Sequence, residues 1–149
     1  MNQIFIAYQN IKTLEKFFLV LTFISIIFKH IFNLRETVDI FVFGVVLGIL
    51  YFPLGFYYLG KPSSNLSIIF SIASGFIYSA GVVSLIMGTL KIDGYEFPLA
   101  IIVFFLLAII VFLLFKLRSG AYSKEYIYAH FLRIVYIIIT NLIVFLFKT

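Results

Sequence analysis

Nearly charge-free apolar runs occupy residues 17–32, 40–59, 66–90, 99–115 and 126–147, with only short polar punctuation between them. A bilayer's hydrocarbon core is about 30 Å thick and takes roughly 20 helical residues to cross. The pattern predicts an all-α integral membrane protein, a compact bundle of five transmembrane helices. Residues 1–149 form one domain, with spans at about 13–32, 40–59, 66–90, 98–115 and 124–147. The alternative arrangement is four spans plus an interfacial amino-terminal helix.

The first span carries that alternative. Ile4, Phe5, Tyr8 and Ile11 share one helical face, which predicts a short interfacial helix running into it. Its unbroken apolar run, residues 17–28, covers only about 18 Å of helix. Crossing over residues 13–32 requires Lys29 and His30 to snorkel outward. Phe28-Lys29-His30-Ile31-Phe32 holds no small-residue cleavage site, so the amino end reads as an uncleaved anchor.

Punctuation marks the other boundaries. The second span carries Gly44, Gly48 and Gly55, with Pro53 near its far end, and Lys61-Pro62-Ser63-Ser64-Asn65 reads as a tight turn with N-capping side chains. Asp93-Gly94 is a hairpin signal, and Pro98 suits the first turn of the fourth helix. Ser119-Gly120 breaks the chain again, and Ser123 is suited to N-cap the last helix.

Composition agrees with the pattern. Hydrophobic residues make up 64% of the chain and charged residues 11%, and mean hydropathy is +1.19, against about 45–50% apolar in soluble domains. The formal charge of +5 is spread singly at helix ends, the membrane-protein usage, so no nucleic-acid partner is expected. Lys12, Lys16, Lys61, Lys116, Arg118, Lys124 and Arg133 fall on the amino-terminal side of a five-span arrangement, and Lys29, Arg35, Lys91 and Lys148 on the other. That imbalance puts the amino terminus in the cytoplasm. Tyr57, Tyr58, Tyr122, Tyr126 and Tyr128 gather at the same boundary as an aromatic belt.

Candidate chemistry is sparse. There is no cysteine, and His30 and His130 lie in different helices without metal-ligand spacing, so neither a metal nor another cofactor is expected. All six carboxylates (Glu15, Glu36, Asp39, Asp93, Glu96 and Glu125) fall in predicted loops or at helix ends. No nucleophile elbow, zinc-protease helix or phosphate-cradling glycine loop is present. The Asn65-Leu66-Ser67 sequon lies on the cytoplasmic side of this arrangement and is read as chance.

Two constellations stand out. In the third span Ser67, Ser74, Gly81 and Gly88 recur every seven residues with Ser71 and Gly75 beside them, and Gly44 and Gly48 form a Gly-x-x-x-Gly pair in the second. Small residues let membrane helices approach closely, either within one bundle or at a seam with a second copy or another membrane subunit. In the last span Tyr126, His130, Arg133, Ile137 and Asn141 fall on one face. Arg133 lies about 10 Å along the helix from Tyr126, a depth at which an unpaired charge costs several kcal/mol. It has three ways to be satisfied: lipid phosphate, Glu125, or Glu15 at the base of the first span. Otherwise the face, with Arg133, His130, Asn141 and Tyr126, is a candidate anionic-ligand or partner site. Tyr51, Tyr78 and Tyr136 fall near mid-membrane, where Ser71, Ser74, Ser79, Thr140 or Asn141 are the available partners.

Phe28-Lys29, a linker, a glycine-bearing span and Tyr51-Phe52-Pro53-Leu54-Gly55-Phe56-Tyr57 resemble a helical hairpin of small, mostly uncharacterised bacterial multi-span proteins. More distantly, residues 20–60 are similar to the membrane subunit of the gliding-motility motor. The motor's aromatic-proline-glycine linker is absent, since residues 30–36 read His-Ile-Phe-Asn-Leu-Arg-Glu, and so is its intramembrane glutamate. The resemblance implies a bacterial inner (cytoplasmic) membrane protein and does not carry motor function. The expected role is non-enzymatic: an accessory, scaffold or self-associating subunit in the lipid bilayer. The alternative is a minimal transporter or lipid-handling protein using the polar face of the last helix.

Overall fold

A computed structural model describes residues 2–32, 38–52, 65–120 and 124–147. These form five helices and, among the described residues, no strand: α1 (Asn2–Phe32), α2 (Val38–Tyr51), α3 (Asn65–Thr89), α4 (Glu96–Arg118) and α5 (Lys124–Leu146). Three are long and apolar enough to cross a membrane, over Ile68–Thr89, Glu96–Arg118 and Tyr126–Leu146.

The first two helices depart from the expected spans. α1 is one continuous helix of 31 residues, about 46 Å long, so the polar opening segment and the apolar run behind it are a single element. α2 has 14 residues, about 21 Å, which is short of a bilayer core. Residues 53–59 of the expected second span lie outside the described residues, as do Pro53, Gly55, Tyr57, Tyr58 and Tyr122.

Direction follows from the contacts. Ser71 meets Tyr126, while Gly81 lies against Ile137 and Gly88 against Val144, so α3 and α5 run parallel. α1 runs with them, because Glu15 meets Arg133 and Lys29 reaches Thr89. α2 runs against α3, with Gly44 beside Ile86 and the Tyr51 ring beside Tyr78. α1 packs on α2, α2 on α3, α3 on α5 and α5 back on α1, which closes a four-helix ring. α4 lies outside this ring against α3 and α5. It buries the stripe Ile102, Leu106, Ile109 and Leu113, a seam at alternating four- and three-residue spacing, and turns Phe104, Val111 and Phe115 outward.

The α3–α4 corner is held by backbone geometry. Ile92 N–H donates to the Met87 carbonyl (3.0 Å) and Lys91 N–H to that of Gly88 (3.1 Å), the paired bonds of a Schellman motif. Its left-handed position is filled by Lys91, at φ 56°, where glycine is the unstrained residue. Lys29 Nζ donates to the Thr89 carbonyl at 2.8 Å, placing a cation on the α3 carboxyl end, where the helix dipole favours it. Lys91→Gly is expected to raise stability by about 0.5–1 kcal/mol by relieving the left-handed strain. Thermal unfolding of detergent-solubilised protein, with wild type alongside, checks this.

Candidate functional site

The polar groups of the interior come from all four helices of the ring. On α5 the predicted face is turned inward: Tyr126, His130, Arg133, Ile137 and Asn141 are all buried. α3 faces it with Ser71, Ser74 and Tyr78, α2 ends there with Tyr51, and α1 contributes Glu15 and Thr22, all buried as well.

Arg133 is paired with Glu15. Its Nε donates to Glu15 Oε1 at 2.5 Å and its Nη2 to Oε2 at 2.9 Å, the bidentate fork a guanidinium offers a carboxylate. The Arg133 Cζ also stands 6.0 Å from the Tyr51 ring centroid, within cation–π range. Both charges are removed from water, Arg133 at 2% exposure and Glu15 at 4%, and such burial is tolerated only when ions are matched this closely.

This corrects the expectation that every carboxylate lies in a loop or at a helix end. Because α1 begins at Asn2 rather than near residue 13, Glu15 falls well inside a helix. A sequence signal exists: Glu15, Leu19, Thr22 and Ile26 recur at spacings of four, three and four, and all four are buried. Glu15 is the polar member of α1's packing stripe.

Above and below the ion pair the two parallel helices are stitched by polar contacts. Tyr78 Oη and His130 Nδ1 share a hydrogen bond at 2.8 Å. Ser71 Oγ and Tyr126 Oη share another at 2.5 Å. The His130 ring is packed among aromatic rings, with centroids of Tyr126 at 4.5 Å and Phe70 at 5.4 Å. Further along, Asn141 Nδ2 donates to the Ile137 carbonyl at 2.9 Å and across to that of Gly81 at 3.2 Å. Tyr78 thus pairs with a histidine, which was not among its expected partners. The Tyr51 hydroxyl, beside Glu15 and Arg133, has no hydrogen bond of ordinary geometry among the described residues, and neither has Ser74 Oγ.

The small residues are used within the chain. A Cβ on Gly81 would lie 2.6 Å from Ile137 Cγ2, one on Gly88 2.8 Å from Tyr95 and 2.9 Å from Val144, and one on Gly44 3.0 Å from Ile86. Gly48 has ordinary room, with Ser79 Oγ at 3.7 Å. Ser71, Ser74 and Gly75 are buried on the same helix. The side chains of Ser67, His30 and Glu125 lie outside the described residues. Among the described residues no group of three or more His, Cys, Asp or Glu is placed to hold a metal ion.

No protein-family model, no curated protein and no solved structure matches the chain.

Proposed function

We propose that this chain is a five-span membrane protein that acts without catalysing a reaction, as an accessory, scaffold or self-associating subunit working through lateral contacts in the bilayer. The observation that carries this reading is that the ion pair and the polar face of α5 find partners within the chain: Arg133 is held by Glu15, His130 Nδ1 by Tyr78, Tyr126 by Ser71, and Asn141 by backbone carbonyls. A side chain spent on its own bundle is not presented to a substrate. The outward surface is apolar instead, with Ile49 on α2 and Phe104 and Val111 on α4 among its most exposed residues. Protein partners for such a surface are other membrane helices.

In this reading α1 crosses as the first span and residues 40–59 supply the second, as the sequence pattern predicts. The amino terminus is cytoplasmic, in agreement with the excess of basic residues that the five-span arrangement puts on that side. The cell is bacterial and the membrane its inner one, as the hairpin resemblance implies. A proton-driven motor role is not proposed, because the buried carboxylate, Glu15, is matched by Arg133.

A photo-crosslinking residue placed at Ile49 and, separately, at Val111 tests the proposal in native membranes. The expected result is an adduct of defined mass from one face and not the other, either a multiple of the chain's 17.2 kDa or that of one other protein. Lipid adducts alone from both faces, with the chain monomeric throughout, would contradict it.

A second reading, a minimal transporter, is favoured by one feature: the polar contacts between α3 and α5 lie in series along their shared face. It requires water to enter that series from at least one side.

A further inference from the structure

On the outer surface, away from the polar core, α1 and α5 leave a groove of about 500 Å³ between them. Val20 and Phe23 of α1 and Leu132, Val135 and Ile139 of α5 line it, and Lys16 stands at one end. Because the two helices run parallel, the Lys16–Leu132 end lies toward their amino termini and the groove continues toward Phe23 and Ile139. Leu19 and Tyr136 complete the lining, and the accessible walls are almost wholly apolar. A slot of this kind between spans is filled by a hydrocarbon chain when the protein sits in a bilayer.

Lys16 says which lipid fits. Its neighbour Glu15 is turned inward and bound to Arg133, while Lys16 is exposed and has no carboxylate partner among the described residues. A helical lysine leans toward the amino end of its helix, here toward the end of the bundle that also carries Lys116, Arg118 and Lys124. An ammonium on the lipid-facing side, at the mouth of an apolar groove, is complementary to a phosphate joined to an acyl chain. We propose that the α1–α5 groove is a binding site for one anionic phospholipid, its acyl chain lying along Val20, Phe23, Val135 and Ile139 and its phosphate held by Lys16.

Native mass spectrometry of delipidated, detergent-solubilised protein tests this with two probes, dioleoylphosphatidylglycerol and dioleoylphosphatidylcholine. Wild type is expected to retain the anionic lipid in preference to the zwitterionic one. Lys16→Gln should lower that preference about fivefold, the change that about 1 kcal/mol for a basic residue at the membrane surface represents. Arg118→Gln, which removes a charge at the same end but on α4, a helix that does not line the groove, should leave it in place. Val135→Trp fills the slot and should reduce adducts of both lipids. Equal retention of the two lipids by wild type would overturn the proposal. So would an unchanged preference in Lys16→Gln, or an equal loss in Arg118→Gln. Lys16 is exposed, so its variant is expected to melt as wild type does, and this arm decides even where Val135→Trp fails to fold.

Discussion

Arg133→Met alone is expected to destabilise the bundle by about 3–5 kcal/mol, because it strands the Glu15 carboxylate between α1 and α5 with no countercharge. Glu15→Leu alone should cost as much, leaving a guanidinium buried at 2% exposure. The double variant, Glu15→Leu with Arg133→Met, should recover most of the loss, since replacing both partners with apolar side chains of similar volume is often close to neutral. Arg133→Lys should be intermediate: the point charge survives, but the two-pronged geometry of Nε and Nη2 on the carboxylate is lost. Unfolding in mixed detergent micelles, run as a double-mutant cycle, measures all four. A strongly negative coupling, in which the double loses far less than the sum of the singles, is the expected result. Additive losses would mean that the two side chains do not share a bond.

The second large effect is steric. Gly81→Ala places a methyl 2.6 Å from Ile137 Cγ2 on the facing helix, closer than carbon atoms pack, so α3 and α5 must separate or Ile137 must leave its rotamer. A cost of about 1–3 kcal/mol is expected. Ile137→Ala in the same chain should return part of it by vacating the contested space. Separation of the helices would also lengthen the bond from Asn141 to the Gly81 carbonyl, now 3.2 Å. Gly48→Ala is the internal comparison: its Cβ would meet Ser79 Oγ at 3.7 Å, ordinary contact, and little change is expected. The same thermal unfolding measurement separates the two sites.

These residues show which parts of the fold were legible in the sequence. The inward face of α5 was, because period and polarity coincide: Tyr126, His130, Arg133 and Asn141 recur at helical spacing within an otherwise apolar run, and polar groups in a bilayer turn toward protein. The glycine positions of α3 were legible as packing sites for a similar reason. Their partners were not, since periodicity locates a stripe on a helix and says nothing of which helix lies opposite. That is why Gly81 and Gly88 could be read as a seam between copies, whereas they pack on Ile137, Tyr95 and Val144 of the same chain.

Glu15 shows a different limit. Its neighbours Lys12, Thr13 and Lys16 make the segment polar, so hydropathy ended the first span just where α1 in fact continues. Only the spacing of Glu15 with Leu19, Thr22 and Ile26 marks it as an interior position. The pairing of Tyr78 with His130 was hidden because it depends on the relative height of two helices far apart in sequence. α4 lies outside the ring and meets α3 and α5 through the apolar stripe Ile102, Leu106, Ile109 and Leu113, a pattern that periodicity shows without saying which helices it covers.

Cysteine accessibility at Ser74 measures most directly whether the bundle keeps water out of its polar interior. Ser74 is fully buried on α3 facing α5, and the chain has no native cysteine to give background. In sealed vesicles the Ser74→Cys variant should resist small charged thiol reagents applied from either side, while Ser119→Cys, at an exposed turn, should react from one side. Reaction of the Ser74→Cys thiol at a rate near that of the Ser119→Cys thiol would show a water-filled path through the bundle, which contradicts a closed interior and favours transport.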